Sequence, residues 1–202
     1  LYPQNALSTT GVVADKTLAA LNALDWQPQT KLVGYYSAHL LYLEAIAASI
    51  RAAGFDSSAG DKLLFAFHSI PVRDIRNGDD YEDKARATAN AVARLLELDV
   101  QDWALGFQCR FDKARSWLSP FTTEALQTLG APRGRLFVVA PNFSIDCLET
   151  LYDIDIELRQ QVCEDPALQI ESDRFVYVPC LNDTDAHVKL LTNIVNSVNA
   201  EN

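Results

Sequence analysis

Three carboxylates and one imidazole stand out for their types and spacing. Glu149, Asp153 and Glu157 are four residues apart. On an α-helix that spacing puts all three along one face. A row of like charges costs helix stability unless cations occupy it. His68, one of three histidines in the chain, follows an apolar run. Imidazole titrates near neutral pH and binds borderline metals. A histidine facing a carboxylate suits proton abstraction from a weakly acidic N–H, or capture of a divalent metal. Ordinary readings compete. His68 can simply end a strand, and the acidic row can be a solvated face. Asp146 and Glu149 also fit a capping box, with Asp146 as N-cap and Glu149 reaching back. Trp117, with Leu118, Pro120 and Phe121, can wall an apolar pocket or pack in a core.

The elements that must position these residues alternate along the chain. Apolar, β-rich runs lie at residues 31–36 (KLVGYY), 63–67, 103–107, 136–140 and 175–178. Helical periodicity covers residues 40–53, 81–96, 120–129, 146–163 and 185–198, and a helix opens near Thr9. Near-continuous apolar strands alternating with helices predict an α/β fold with a parallel sheet covered on both faces. In such sheets ligands sit at the carboxyl ends of strands. His68 follows one predicted strand directly, and the segment leading to Glu149 follows another. The small, polar stretch 52–61 (AAGFDSSAGD) predicts a domain boundary near residue 60.

Composition sets the bounds. The chain has 202 residues, 49% hydrophobic and 22% charged, with net charge −10. That is a globular composition. It disfavours a nucleic-acid partner, which requires clustered Lys and Arg. No apolar run is long enough to span a membrane. Cys109, Cys147, Cys163 and Cys180 are spaced by 38, 16 and 17 residues. They form no C-x-x-C pair, so no zinc site or iron–sulfur cluster is expected. Reduced thiols in a cytoplasmic protein are the expectation. The chain contains no methionine and begins at Leu1, which leads to the expectation that its original start is missing.

Five runs, in order, resemble ferrochelatase: LYPQ and STTG within residues 1–11, FAFHSIP (65–71), GDDY (78–81), FQCRF with WLSPFT (107–122), and FSIDCLETLYDIDIE (143–157). The resemblance extends to about residue 195. It implies a lyase that inserts Fe²⁺ into a porphyrin, protoporphyrin IX or coproporphyrin III, and releases two protons late in haem biosynthesis. It implies two Rossmann-like domains with a cleft between them, the first incomplete here. Residues 1–60 with 185–202 would be the remnant of the first domain, and 61–184 the second. His68 and Glu149 fall on the family's active-site histidine and glutamate. His68, Glu149, Asp153 and Glu157 would handle metal, and Trp117, Ser69 and Pro71 would bind substrate. The family's acidic helix is distorted toward a π-helix. Iron is a substrate there, so no permanent cofactor is implied. The partners implied are a porphyrin and ferrous iron. Peripheral membrane association, oligomeric state and activity of this chain by itself are left open. Two departures are Ser69, where glycine is commoner, and Cys109, where serine is commoner. Two alternatives stand beside this reading. One is a related chelatase placing cobalt or iron in another tetrapyrrole, which would carry different histidine motifs. The other is a non-catalytic porphyrin-binding fragment.

Overall fold

A computed structural model of the chain describes residues 2–26, 28–108, 112 and 114–200. Among the described residues four strands make one sheet: β1 (Lys62–His68), β2 (Trp103–Gln108), β3 (Leu136–Val139) and β4 (Phe175–Val178). All are parallel, in the order β2-β1-β3-β4. Helices connect and cover them: α1 (Val12–Asn22), α2 (Leu40–Ala52), α3 (Val72–Arg76), α4 (Tyr81–Leu95), α5 (Thr122–Leu129), α6 (Leu148–Leu151), α7 (Arg159–Glu164) and α8 (Asp185–Ala200). The α/β class and the parallel sheet match the sequence pattern.

The two-residue alternation of a strand divides the core. Leu63, Phe65 and Phe67 of β1, with Phe137 and Val139 of β3, face Tyr42, Ile46 and Ile50 of α2. Ala85, Ala89 and Val92 of α4 and Leu190 and Ile194 of α8 close the same side. Leu64, Ala66, Leu136 and Val138 face the other way, onto Leu126, Ile154, Leu158 and Val162. With both faces covered, the strands carry apolar residues almost continuously. Gly106 lets α5 lie close on β2: a Cβ there would meet the Thr122 Cα at 2.6 Å.

Several expectations change. Residues 31–36 are not a strand. A strand needs a neighbour's peptide groups, and here the Tyr36 and Ser37 amides both donate to the Pro3 carbonyl. Leu32, Val33 and Tyr35 are exposed. On either side of residue 60, α2 and β1 pack in the same cluster. The closing helix α8 does meet α2, and His39 Nε2 lies 3.0 Å from Asn193 Oδ1. The helix expected near Thr9 begins as a π turn, Leu7–Gly11, before α1. The helix expected from residue 120 begins at Thr122.

The expected single helix over residues 146–163 is three pieces: α6, a π turn at Asp153–Leu158, and α7. The Glu157 amide donates to the Tyr152 carbonyl at 2.8 Å, five residues back. That is the π pattern, and it agrees with what the family resemblance implies. The buried side chains Ile154, Leu158 and Val162 hold the distorted segment on the sheet.

Candidate functional site

The carboxyl ends of β1 and β3 open onto a cavity of about 510 Å³. His68 is the last residue of β1 and lines it. Its Nδ1 lies 2.8 Å from the Ser69 carbonyl oxygen. A carbonyl only accepts, so Nδ1 carries the proton and Nε2 is the basic nitrogen of the neutral ring. The Tyr81 hydroxyl donates to the His68 carbonyl at 2.8 Å and fixes the backbone there. Phe143, after β3, meets the imidazole edge to face at 6.4 Å between ring centres.

Glu149 lines the same cavity. Its position comes from a hub at Asp146, which does not act as a helix cap. The Asp146 Oδ1 accepts from the Tyr177 hydroxyl at 2.6 Å, and from the Thr150 hydroxyl and the Cys180 amide at 3.2 Å each. Oδ2 accepts from the Asn182 side chain at 2.7 Å, and the Asp146 amide donates back to Asn182 Oδ1. These bonds tie the loop after β3 to the loop after β4. Burial raises the Asp146 pKa, but the bonds from Asn182, Tyr177 and Cys180 outweigh it and hold the carboxyl below its usual range.

The expected capping box is therefore displaced by one residue. Cys147 is the N-cap of α6, and its amide donates to Thr150 Oγ1 at 2.9 Å. Glu149 is left with its carboxylate toward the cavity. A hydrogen bond from the Cys147 thiol and one from its own amide hold its pKa below the usual glutamate value against partial desolvation. Burial, and then the neighbouring Glu149, push the Cys147 thiol up, so it remains a donor.

Trp117 and Pro71 form a wall. The two residues pair in an isolated antiparallel bridge. Trp117 is only 8% exposed, and its ring N–H donates to the Asp112 carbonyl at 3.0 Å. Ser69 also lines the cavity, while its hydroxyl donates to the Leu118 carbonyl. The other residues expected around Trp117 lie elsewhere. Leu118 is in the core, Phe121 is in a second cavity, and Pro120 lines a separate groove.

Asp153 and Glu157 open onto that second cavity, of about 540 Å³, with Gln108. The π turn runs from Asp153 past Glu157, which share this cavity; the break in the expected row falls earlier, where α6 ends at Leu151 between Glu149 and Asp153. Gln108, at the end of β2, joins the two places: its side-chain N–H donates to the Glu149 carbonyl at 3.4 Å. Among the described residues, no group of three His, Cys, Asp or Glu side chains is placed to hold a metal together. Cys147, Cys163 and Cys180 are free thiols, and Cys109 lies outside the described residues. Among the described residues no helix is long and apolar enough to cross a membrane.

Reasoning from sequence missed Asn142 and Phe143 on the cavity wall, and Gln4 on its amino-terminal side. The Pro141-Asn142-Phe143 run after β3 was the available signal, since it stands at a strand's carboxyl end.

The ferrochelatase family model matches residues 1–198. Ferrochelatase of Nitrosococcus oceani is 36% identical over 196 residues, which is 96% of this chain and 52% of the relative. The Aromatoleum aromaticum ferrochelatase is 38% identical, over 98% of this chain and 53% of its own length. The Vibrio cholerae ferrochelatase is 37% identical, over 96% and 59%. The chain thus spans about half the length of the curated relatives it matches. With the family model matched over nearly all its residues, on a parallel α/β sheet, the chain belongs to the ferrochelatase family.

Proposed function

We propose that this chain carries the metal-inserting half of a ferrochelatase site, in which Fe²⁺ replaces two pyrrole protons of a porphyrin. One observation carries the reading: His68 and Glu149 line a single cavity walled by Pro71 and Trp117. The apolar wall suits the face of a flat macrocycle. His68 presents basic Nε2, and the lowered pKa of Glu149 keeps its carboxylate ionised at neutral pH. Each would take one proton as an N–H bond breaks, and Fe²⁺ would fill the vacated centre, so charge and atoms balance. Asp153 and Glu157, in the neighbouring cavity, would feed Fe²⁺ toward Glu149 past Gln108. Carboxylates hold Fe²⁺ loosely enough to release it. Ser69 contributes its backbone position more than its hydroxyl, which is already bonded. Iron is substrate, so the reaction needs no resident cofactor and no iron–sulfur cluster.

The test is anaerobic incubation of the chain with porphyrin and Fe²⁺, followed by the visible spectrum of the metalloporphyrin. Insertion that is lost in His68→Ala supports the reading. Tight porphyrin binding without insertion would favour a porphyrin-binding role, and no binding at all would remove the reading.

A further inference from the structure

The cavity mouth carries two cations that the proton-transfer scheme does not use. Arg73 and Arg115 both line it, in a chain of net charge −10. The Pro71–Trp117 bridge brings them there. The Val72 amide donates to the Ser116 carbonyl at 2.9 Å, and the Leu118 amide to the Ile70 carbonyl at 3.0 Å. Each arginine lies two residues beyond the bridge on its own segment.

Their surroundings orient them without consuming them. Arg73 Nε lies 3.5 Å from Asp74 Oδ1, and the side chain is 77% exposed. Among the described residues neither terminal nitrogen of Arg73 has a partner. Asp112 Oδ2 takes Nε and Nη2 of Arg115, at 2.8 and 2.7 Å. The guanidinium also stacks on Trp117, with its carbon 5.3 Å from the ring centre. Each arginine keeps N–H donors beyond those its own aspartate takes, and guanidinium forks match planar carboxylates.

We propose that Arg73 and Arg115 form a carboxylate-reading pair at the cavity mouth, selecting a flat apolar ligand that carries peripheral carboxylates. This rests on the tetrapyrrole reading above and adds a specificity determinant to it. Trp117 and Pro71 hold the ring face, and the pair holds its acidic edge. Arg115 is fixed by Asp112 and Trp117, and Arg73 closes from the facing segment.

The experiment measures fluorescence quenching of a dicarboxylate porphyrin and of its dimethyl ester by the chain, in one detergent buffer. Arg73→Ala should weaken dicarboxylate binding by about tenfold, the worth of one charge-assisted bond. Arg73→Lys should recover part of this, because charge returns without the fork. Arg73→Ala with Arg115→Ala should weaken it further, and ester binding should hardly change. Added salt should weaken dicarboxylate binding by the wild-type chain and leave ester binding unchanged, a readout that needs no variant. Equal salt response for both ligands, or an unchanged dicarboxylate affinity in Arg73→Ala, overturns the pair while leaving the tetrapyrrole reading intact. Binding of neither porphyrin by the wild type overturns both.

Discussion

Gln108 ties the end of β2 to the first turn of α6 through the Glu149 carbonyl, 3.4 Å from its side-chain nitrogen. The same residue lies in parallel register with His68. Two neighbouring strand ends therefore bear on the placement of both groups proposed for proton removal: β1 carries one, and β2 braces the other.

His68→Ala and Glu149→Gln should each lower kcat by about 10²–10⁴-fold, the usual worth of a positioned acid or base. Porphyrin affinity should persist, since the wall of Pro71 and Trp117 is untouched. Steady-state rates with a parallel binding titration check this. Near-normal turnover of Glu149→Gln would remove it from the chemistry.

Asp153→Asn and Glu157→Gln should act differently. Both side chains belong to the second cavity, away from the macrocycle wall. Their loss should raise the KM for Fe²⁺ with kcat nearly intact, and leave the KM for porphyrin unchanged. Varying the two substrates separately distinguishes this from a role at the reacting centre.

The Cys147 thiol supports the lowered pKa of Glu149. Glu149 accepts protons only when ionised, so base function is lost as pH falls through that lowered value. Cys147→Ala should move the titration upward, toward the ordinary glutamate value of about 4.3. Carbon NMR of the Glu149 carboxyl in both proteins reads the shift directly. No movement would mean that the thiol contributes nothing.

Asp146→Ala should destabilise the fold by about 1–3 kcal/mol, because Tyr177 and Asn182 lose their acceptor. Denaturant midpoints measure it. The folded-state pKa of Asp146 is depressed, so its contribution is complete above the unfolded value of about 3.9. It fades as pH falls through the folded value. Wild type should therefore lose stability in that acid window, and Asp146→Asn should lose less.

Gly106→Ala should also destabilise, by about 1–3 kcal/mol, since the new methyl would press on the Thr122 backbone. The denaturant midpoint should fall while the slope stays constant.

The strands were legible wherever one run of residues settled the matter. Residues 63–67 and 136–140 are apolar on both faces, and only a doubly covered sheet accepts that. Residues 31–36 have the same β-rich character, yet pairing depends on a neighbour that their own composition does not encode. His68 was readable because its place at a strand end follows from periodicity. The separation of Glu149 from Asp153 and Glu157 was not, because counting by four presumes one unbroken helix, and α6 ends at Leu151. The turn that follows, in which the Tyr152 carbonyl accepts from both Ile156 and Glu157, is seated on the sheet by Ile154 and Leu158. Arg73 and Arg115 were invisible for a related reason: a bridge between distant segments, and no local spacing, makes them neighbours.

The widened turn at Asp153–Leu158 also makes the length of this segment a constraint of its own. A π turn holds one residue more than an α turn. Removing one residue within it would let the turn relax into an ordinary helix and leave the pieces on either side in phase. Val162 would stay on the sheet, and Arg159 would keep the Phe175 carbonyl it now reaches at 2.6 Å. The same deletion inside α7 would rotate everything beyond it by about 100°, the angular step of one residue. A single-residue gap should therefore be tolerated inside the turn and not in the regular helix after it.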